Sequence, residues 1–170
     1  DEISHFDAKL FSLLSYRRDL SQPLNLNKVD FRIDYIYNQE DDKNNTRDFS
    51  QVLSLVTEIE HANWGLSTDI TLGNGYNSQS NLWGVSVMPF VNFNEQLQAV
   101  VRYTYLNSTN DNGIRSGRYE REIVSGRGDE YHEAYSGFNL FFYGHKLKWQ
   151  TGLQYTIMND TADDGGEYKG

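Results

Sequence analysis

Cysteine is missing from all 170 residues, so no disulfide framework and no thiolate-held metal centre can form. No run of about 18 apolar residues occurs, which excludes a membrane-spanning helix. Cations are in deficit: 15 Lys and Arg stand against 24 Asp and Glu, a formal charge of −9. Binding to nucleic acid needs the opposite balance to neutralise phosphates, so nucleic acid is not an expected partner. A basic, apolar leader is also lacking: the chain opens on Asp1-Glu2, and Leu10–Leu14 is too short an apolar stretch. An exported protein would already have lost such a leader. The mean hydropathy of −0.69 describes a soluble chain, yet a strand with one polar face dilutes every hydropathy window in the same way.

What is present is alternation. In 28–38, Val29, Phe31, Ile33, Tyr35 and Tyr37 oppose Asp30, Arg32 and Asp34. In 64–73, Trp64, Leu66, Thr68, Ile70 and Leu72 oppose Ser67, Asp69 and Thr71. In 96–106, Leu97, Ala99, Val101, Tyr103 and Tyr105 oppose Gln96, Gln98, Arg102 and Thr104. In 146–157, Leu147, Trp149, Thr151, Leu153, Tyr155 and Ile157 oppose Lys148, Gln150, Gln154 and Thr156. Period two means β-strand. Segments 49–60, 82–91 and 132–143 follow the pattern less cleanly: Ser54, Glu58 and Glu60 share the polar side, Asn139 is placed with them, and Pro89 suggests a bulge or strand end. In 1–20 the helical spacing of Phe6, Leu10, Leu13 and Leu14 competes with a strand, and the parity of the connections favours the strand.

Those connections alternate. Residues 21–27, 61–63, 92–95 and 143–146 are short, while 38–48, 73–81, 107–131 and 158–170 are longer and rich in Asn, Asp, Gly and Ser. Strands of about 9–11 residues joined by alternately short and long connections suit an antiparallel up-and-down transmembrane β-barrel. Aromatic residues gather toward both ends of the strands. Trp64, Phe90, Phe93, Phe142, Tyr143 and Trp149 lie on the short-turn side, and Tyr35, Tyr37, Trp83, Tyr103, Tyr105, Tyr135 and Tyr155 on the long-loop side. Two aromatic belts around an aliphatic band are what two membrane interfaces require. Val29, Phe31, Ile33, Leu66, Ile70, Val85, Val87, Val101 and Leu153 are then expected to face lipid.

RYTYLNS (102–108), DNGIRSGRYER (111–121), SGRGDEYHEAYSGFNLFFYGHKLKWQTGLQYT (125–156) and DDGGEY (163–168) resemble the C-terminal half of Gram-negative outer-membrane porins of the phosphate-selective porin O and P family. WGLSTDI (64–70) and LWGVSVMPF (82–90) fit the same pattern, so the resemblance spans roughly 28–170. It implies a barrel of about sixteen strands, usually trimeric, of which this chain supplies some seven or eight. Residues 1–170 are then one partial barrel domain that needs the remainder of the barrel. Past DDGGEY the family continues with one more strand, ending in an aromatic residue; that strand is expected to be absent here. The family name implies an anion-selective, basic lumen. The polar positions of this chain instead hold Asp30, Asp34, Glu58, Glu60 and Asp69 against Arg32, Arg102 and Lys148, so phosphate selectivity does not carry over.

These eight residues are the expected pore lining. Arg115, Arg118, Arg121 and Arg127, set among acids in the 107–131 loop, are the expected constriction or mouth. The expected function is a water-filled channel for passive diffusion of small hydrophilic solutes or ions across the bacterial outer membrane, with no enzymatic activity and no cofactor. Its partners are outer-membrane lipid, the rest of the barrel and two further copies in a homotrimer. The rival reading is a soluble β-sandwich that binds carbohydrate on Trp and Tyr platforms; it explains composition but not the parity of the loops. Glu130, His132, Glu133 and His145 form a possible metal cluster, with a solvated loop-to-strand junction as the favoured reading. Asp160, Asp163, Asp164 and Glu167 lack the spacing of a calcium loop, and a solvated acidic loop is favoured there too.

Overall fold

A computed structural model describes residues 10–39, 49–76, 79–110, 113–115, 117, 122, 126–143, 146–160 and 167–170. The architecture is all-β and antiparallel. Eight long strands follow one another: β1 (Phe11–Asp19), β2 (Lys28–Asn38), β3 (Phe49–His61), β4 (Trp64–Gly75), β5 (Leu82–Asn92), β6 (Leu97–Ser108), and then, after two short strands β7 (Ile114–Arg115) and β8 (Arg127–Gly128), β9 (Glu130–Phe141) and β10 (Lys148–Asn159). A two-residue β11 (Tyr168–Lys169) closes the list. Neighbours in sequence are neighbours in space, in the order β1-β2-β3-β4-β5-β6-β9-β10-β11, and β7 pairs with β8 alone. This is a meander, and it is open. Among the described residues, β1 forms one edge; the other is β10, whose far side is paired only at Ile157 and Met158 with β11 and at Thr156 with Gly170.

The lengths and the parity follow the sequence pattern. Strands β2 to β10 run 11–13 residues apart from the short pair, roughly twice the usual strand of about 5–6. The segment 11–19 is strand despite its helical spacing, because nine consecutive pairings to β2 satisfy its backbone. The short connection after it contains one turn of helix, α1 (Ser21–Leu24), ended by Asn25 in the left-handed region at φ 53°. Two residues, Ala62 and Asn63, join β3 to β4. The β5–β6 turn is organised by Asn94, whose Oδ1 accepts from the N–H groups of Gln96 (2.8 Å) and Leu97 (2.9 Å).

Three expectations shift. β9 and β10 sit two residues away from 132–143 and 146–157, because the connection between them takes up Phe142 to Leu147. Pro89 neither bulges nor ends β5: the strand runs on to Asn92 and holds its pairing with β4, while pairing with β6 skips Met88 and Pro89. Val29 is 4% exposed rather than open, since the 20–27 connection is tied to it. Its N–H donates to Ser21 Oγ (2.8 Å) and its carbonyl accepts from Leu20 N–H (2.8 Å).

The register sorts every long strand onto two faces. One face carries Ile33, Leu55, Ile70, Val85, Val101 and Leu153, and it is covered by nothing among the described residues. Leu153 is 83% exposed, Val101 52% and Ile70 44%. Few residues are buried at all, and no second sheet packs across this face to make a sandwich core among the described residues.

Candidate functional site: the polar face of the sheet

The opposite face gathers the charges. Cα partners in an antiparallel pair point their side chains the same way, so the pairings Asp30 with Glu58, Asp34 with Ser54, Val56 with Asp69, and Arg102 with Tyr135 trace one continuous face. Asp30, Arg32, Asp34, Glu58, Glu60, Asp69, Arg102 and Lys148 all lie on it. So do Arg17, Asp19 and Lys28, which the sequence reading did not single out although period two from Asp30 reaches Lys28, and Glu133, which it grouped with His132 instead although period two from Asn139 reaches it.

These groups are cross-linked. Arg17 grips Asp30 through two bonds, Nε to Oδ1 at 3.1 Å and Nη2 to Oδ2 at 2.6 Å. Lys28 Nζ lies between Glu58 (2.7 Å) and Glu60 (3.2 Å). Arg32 pairs with Asp34 (2.8 Å), which also accepts from Ser15 Oγ (2.5 Å). Asp69 has hydroxyls instead of a cation: Thr71 at 2.7 Å and Ser54 at 3.2 Å. Across the sheet, Arg102 binds Glu133 (2.6 Å), and Tyr131 donates to the same carboxylate (3.0 Å). Lys148 has no ion-pair partner among the described residues.

The face is therefore uneven. Six carboxylates (Asp19, Asp30, Asp34, Glu58, Glu60, Asp69) and three cations (Arg17, Lys28, Arg32) line β1–β4. One carboxylate (Glu133) and two cations (Arg102, Lys148) line β5–β10.

Two residues assigned to the aromatic belts belong here instead. Phe90 is a Cα partner of Gly65, and its ring occupies the space where a Gly65 Cβ would stand. Tyr135 lies over Gly137 and Gly152, themselves Cα partners; a Cβ on Gly152 would come within 2.6 Å of its ring. The glycines give up side chains so that aromatic rings can lie down on the polar face. The sequence signal is an aromatic facing a glycine across two strands, legible only once register is known. The other belt members that lie on strands keep to the apolar face. There Trp83 packs at a tilt against Tyr105, ring centroids 5.2 Å apart, and Tyr103 Oη bonds His132 Nδ1 at 2.7 Å.

At the long-loop end, the base of the 109–129 connection is rooted on the sheet. Arg115 and Arg127 are Cα partners. Arg127 Nη1 donates to Gln79 Oε1 (3.1 Å), and Gln79 Nε2 donates to the Gly113 carbonyl (2.8 Å). Gly128 sits against Met158, a polar-face residue that is 1% exposed. Arg118 and Arg121 lie outside the described residues.

The possible metal cluster does not assemble. Glu130 and His132 project on the apolar face, Glu133 projects on the polar one, and His145 lies outside the described residues. Among the described residues no three His, Asp or Glu side chains converge on a common point. Of the acidic stretch after β10, only Asp160 and Glu167 are described. Comparison of the chain with protein-family models, with curated proteins and with solved structures finds no match.

Proposed function

We propose that this chain is a wall section of an outer-membrane porin, a transmembrane β-barrel that lets small hydrophilic solutes or ions diffuse through a water-filled bore. One observation carries the reading: strands of 11–13 residues present a continuous, uncovered apolar face and a charged, hydrogen-bonded opposite face. Twelve residues at about 3.4 Å rise, tilted by about 45°, span roughly 29 Å, close to the hydrocarbon thickness of about 30 Å. An apolar surface of this extent is not tolerated in water by a monomeric protein, whereas lipid requires it. Lipid also requires every backbone group to be paired. The edges at β1 and β10 therefore call for further strands, supplied by the remainder of the barrel.

In this reading the mechanism is passive. Polar-face groups replace part of a solute's lost hydration, their net charge biases which ions enter, and the rooted 109–129 connection narrows the mouth. The family resemblance adds the homotrimer and the bacterial outer membrane. No catalytic role is assigned to any residue.

The absence of cysteine makes the test direct. Single cysteines introduced at Ile33, Ile70, Val101 and Leu153, and at Asp34, Asp69, Arg102 and Gln154, are spin-labelled in the membrane-reconstituted protein. The first set should be accessible to oxygen and the second to a water-soluble relaxant. Water accessibility of the first set would overturn the proposal.

A further inference from the structure

Where the charges thin out, the polar face holds a feature of another kind. Asn92, Gln98, Asn139 and Gln150 stand in one row perpendicular to the strands, each the Cα partner of the next across β5, β6, β9 and β10. Their side chains are joined end to end. Gln150 Nε2 donates to Asn139 Oδ1 (2.7 Å), Asn139 Nδ2 to Gln98 Oε1 (2.7 Å), and Gln98 Nε2 to Asn92 Oδ1 (2.9 Å). A primary amide has two N–H donors and two acceptor lone pairs. Each amide inside the row spends one of each and keeps the others. The strand spacing sets these free groups at intervals of about 4.8 Å.

Aromatic surface flanks the row. Phe90, Tyr135 and Phe141 line the same concavity of about 520 Å³, together with Gln98, Asn139 and Gln150. The glycine seats hold the Phe90 and Tyr135 rings down against the sheet. Charge is almost cancelled here: Arg102 is neutralised by Glu133, leaving Lys148 as the unpaired ion.

We infer that this row is a binding track for neutral, hydroxyl-rich ring solutes, namely short oligosaccharides. Hydroxyls that both donate and accept match amides that do both, and the apolar faces of sugar rings match aromatic planes. An anionic solute would find little net positive charge, and an apolar one would leave the amides unpaired. Linking amides to one another fixes their orientation before a solute arrives, which lowers the ordering cost of binding.

The inference rests on the porin reading, and its test separates the two. The intact protein is reconstituted in a planar bilayer, and salt current is recorded while maltotriose is titrated. Saturable block by maltotriose is expected. Asn139→Ala, which cuts the row at its centre, should raise the half-blocking concentration roughly tenfold and leave the salt conductance within about twofold. Gln150→Ala, at the row's exposed end, should act in the same direction by a smaller factor, and it serves if the Asn139 variant fails to assemble. A channel that conducts salt but shows no block, or block unchanged in both variants, overturns the track and leaves the porin standing. No conductance from the wild-type protein overturns the porin reading itself.

Discussion

The β1–β4 and β5–β10 portions of the sheet share one face and differ on the other. Both turn long aliphatic rows outward. On the polar side, β1–β4 is knit by ion pairs between three cations and four of its six acids, whereas β5–β10 is knit by an amide row and by rings lying on glycines. In the porin reading the apolar face answers to lipid common to every strand, so it repeats. In the same reading the polar face meets solutes, and that is where a sheet of one topology is free to vary.

The sharpest test of the shared half of this comparison is a charge on the apolar face. Ile33→Arg in β2 and Val101→Arg in β6 should each cost about 2–4 kcal/mol in urea unfolding from lipid vesicles, the cost of Arg near a bilayer midplane. Equal costs mean the two portions meet the same lipid. A negligible cost in either would mean that its strand faces something else.

The glycine seats give the next largest effect, confined to one portion. Gly152→Val would push a side chain into the Tyr135 ring, a strain of about 1–3 kcal/mol. Tyr135→Ala in the same protein should recover most of that loss, because it removes the ring being struck. Failure of the double variant to recover would show that Gly152 is needed for a backbone reason instead.

Much of this organisation was legible in the chain. Period two placed β2 at 28–38 and put β3 to β6 within two residues of their true ends, since alternation is a property of single strands. The acids of β2–β4 were legible for the same reason. What was not legible depends on pairing. Phe90 and Tyr135 look like belt aromatics until register sets them beside Gly65, Gly137 and Gly152. The two-residue displacement of β9 and β10 reflects a six-residue connection that composition does not count. Glu130, His132 and Glu133 looked like a cluster because adjacency in sequence hides the fact that neighbours in a strand point apart.

Charge sharpens the comparison with a smaller energy and a clear sign. Removing anionic lining with Glu58→Gln and Asp69→Asn should move the reversal potential under a salt gradient toward anions. Arg102→Gln and Lys148→Gln should move it toward cations, the more so because the first also frees Glu133. The unaltered section should favour cations weakly, given seven carboxylates against five cations on its described polar face. Raising salt should shrink all these shifts, since exposed charges are screened beyond about 10 Å at 0.1 M. Shifts of the same sign in both pairs of variants would mean that the two sets do not line one path.

The smallest expected effect lies in the turns, where the two portions again differ. The β5–β6 turn is held by the Asn94 side chain and needs no left-handed residue. The β3–β4 turn puts Ala62, an exposed residue with a Cβ, at φ 51°. Holding a Cβ there costs about 1–2 kcal/mol, and glycine would remove that strain while adding about 0.5–1 kcal/mol of chain entropy to be lost on folding. Ala62→Gly should therefore stabilise the protein by roughly 0.5 kcal/mol. The bond from the Ala62 N–H to Asn27 Oδ1 (2.9 Å) survives the change, because it uses only backbone on the Ala62 side. Asn27→Ala should remove that bond and cost about 1 kcal/mol. If Ala62→Gly destabilises the protein instead, the turn relies on the stiffness of alanine more than it suffers from its strain.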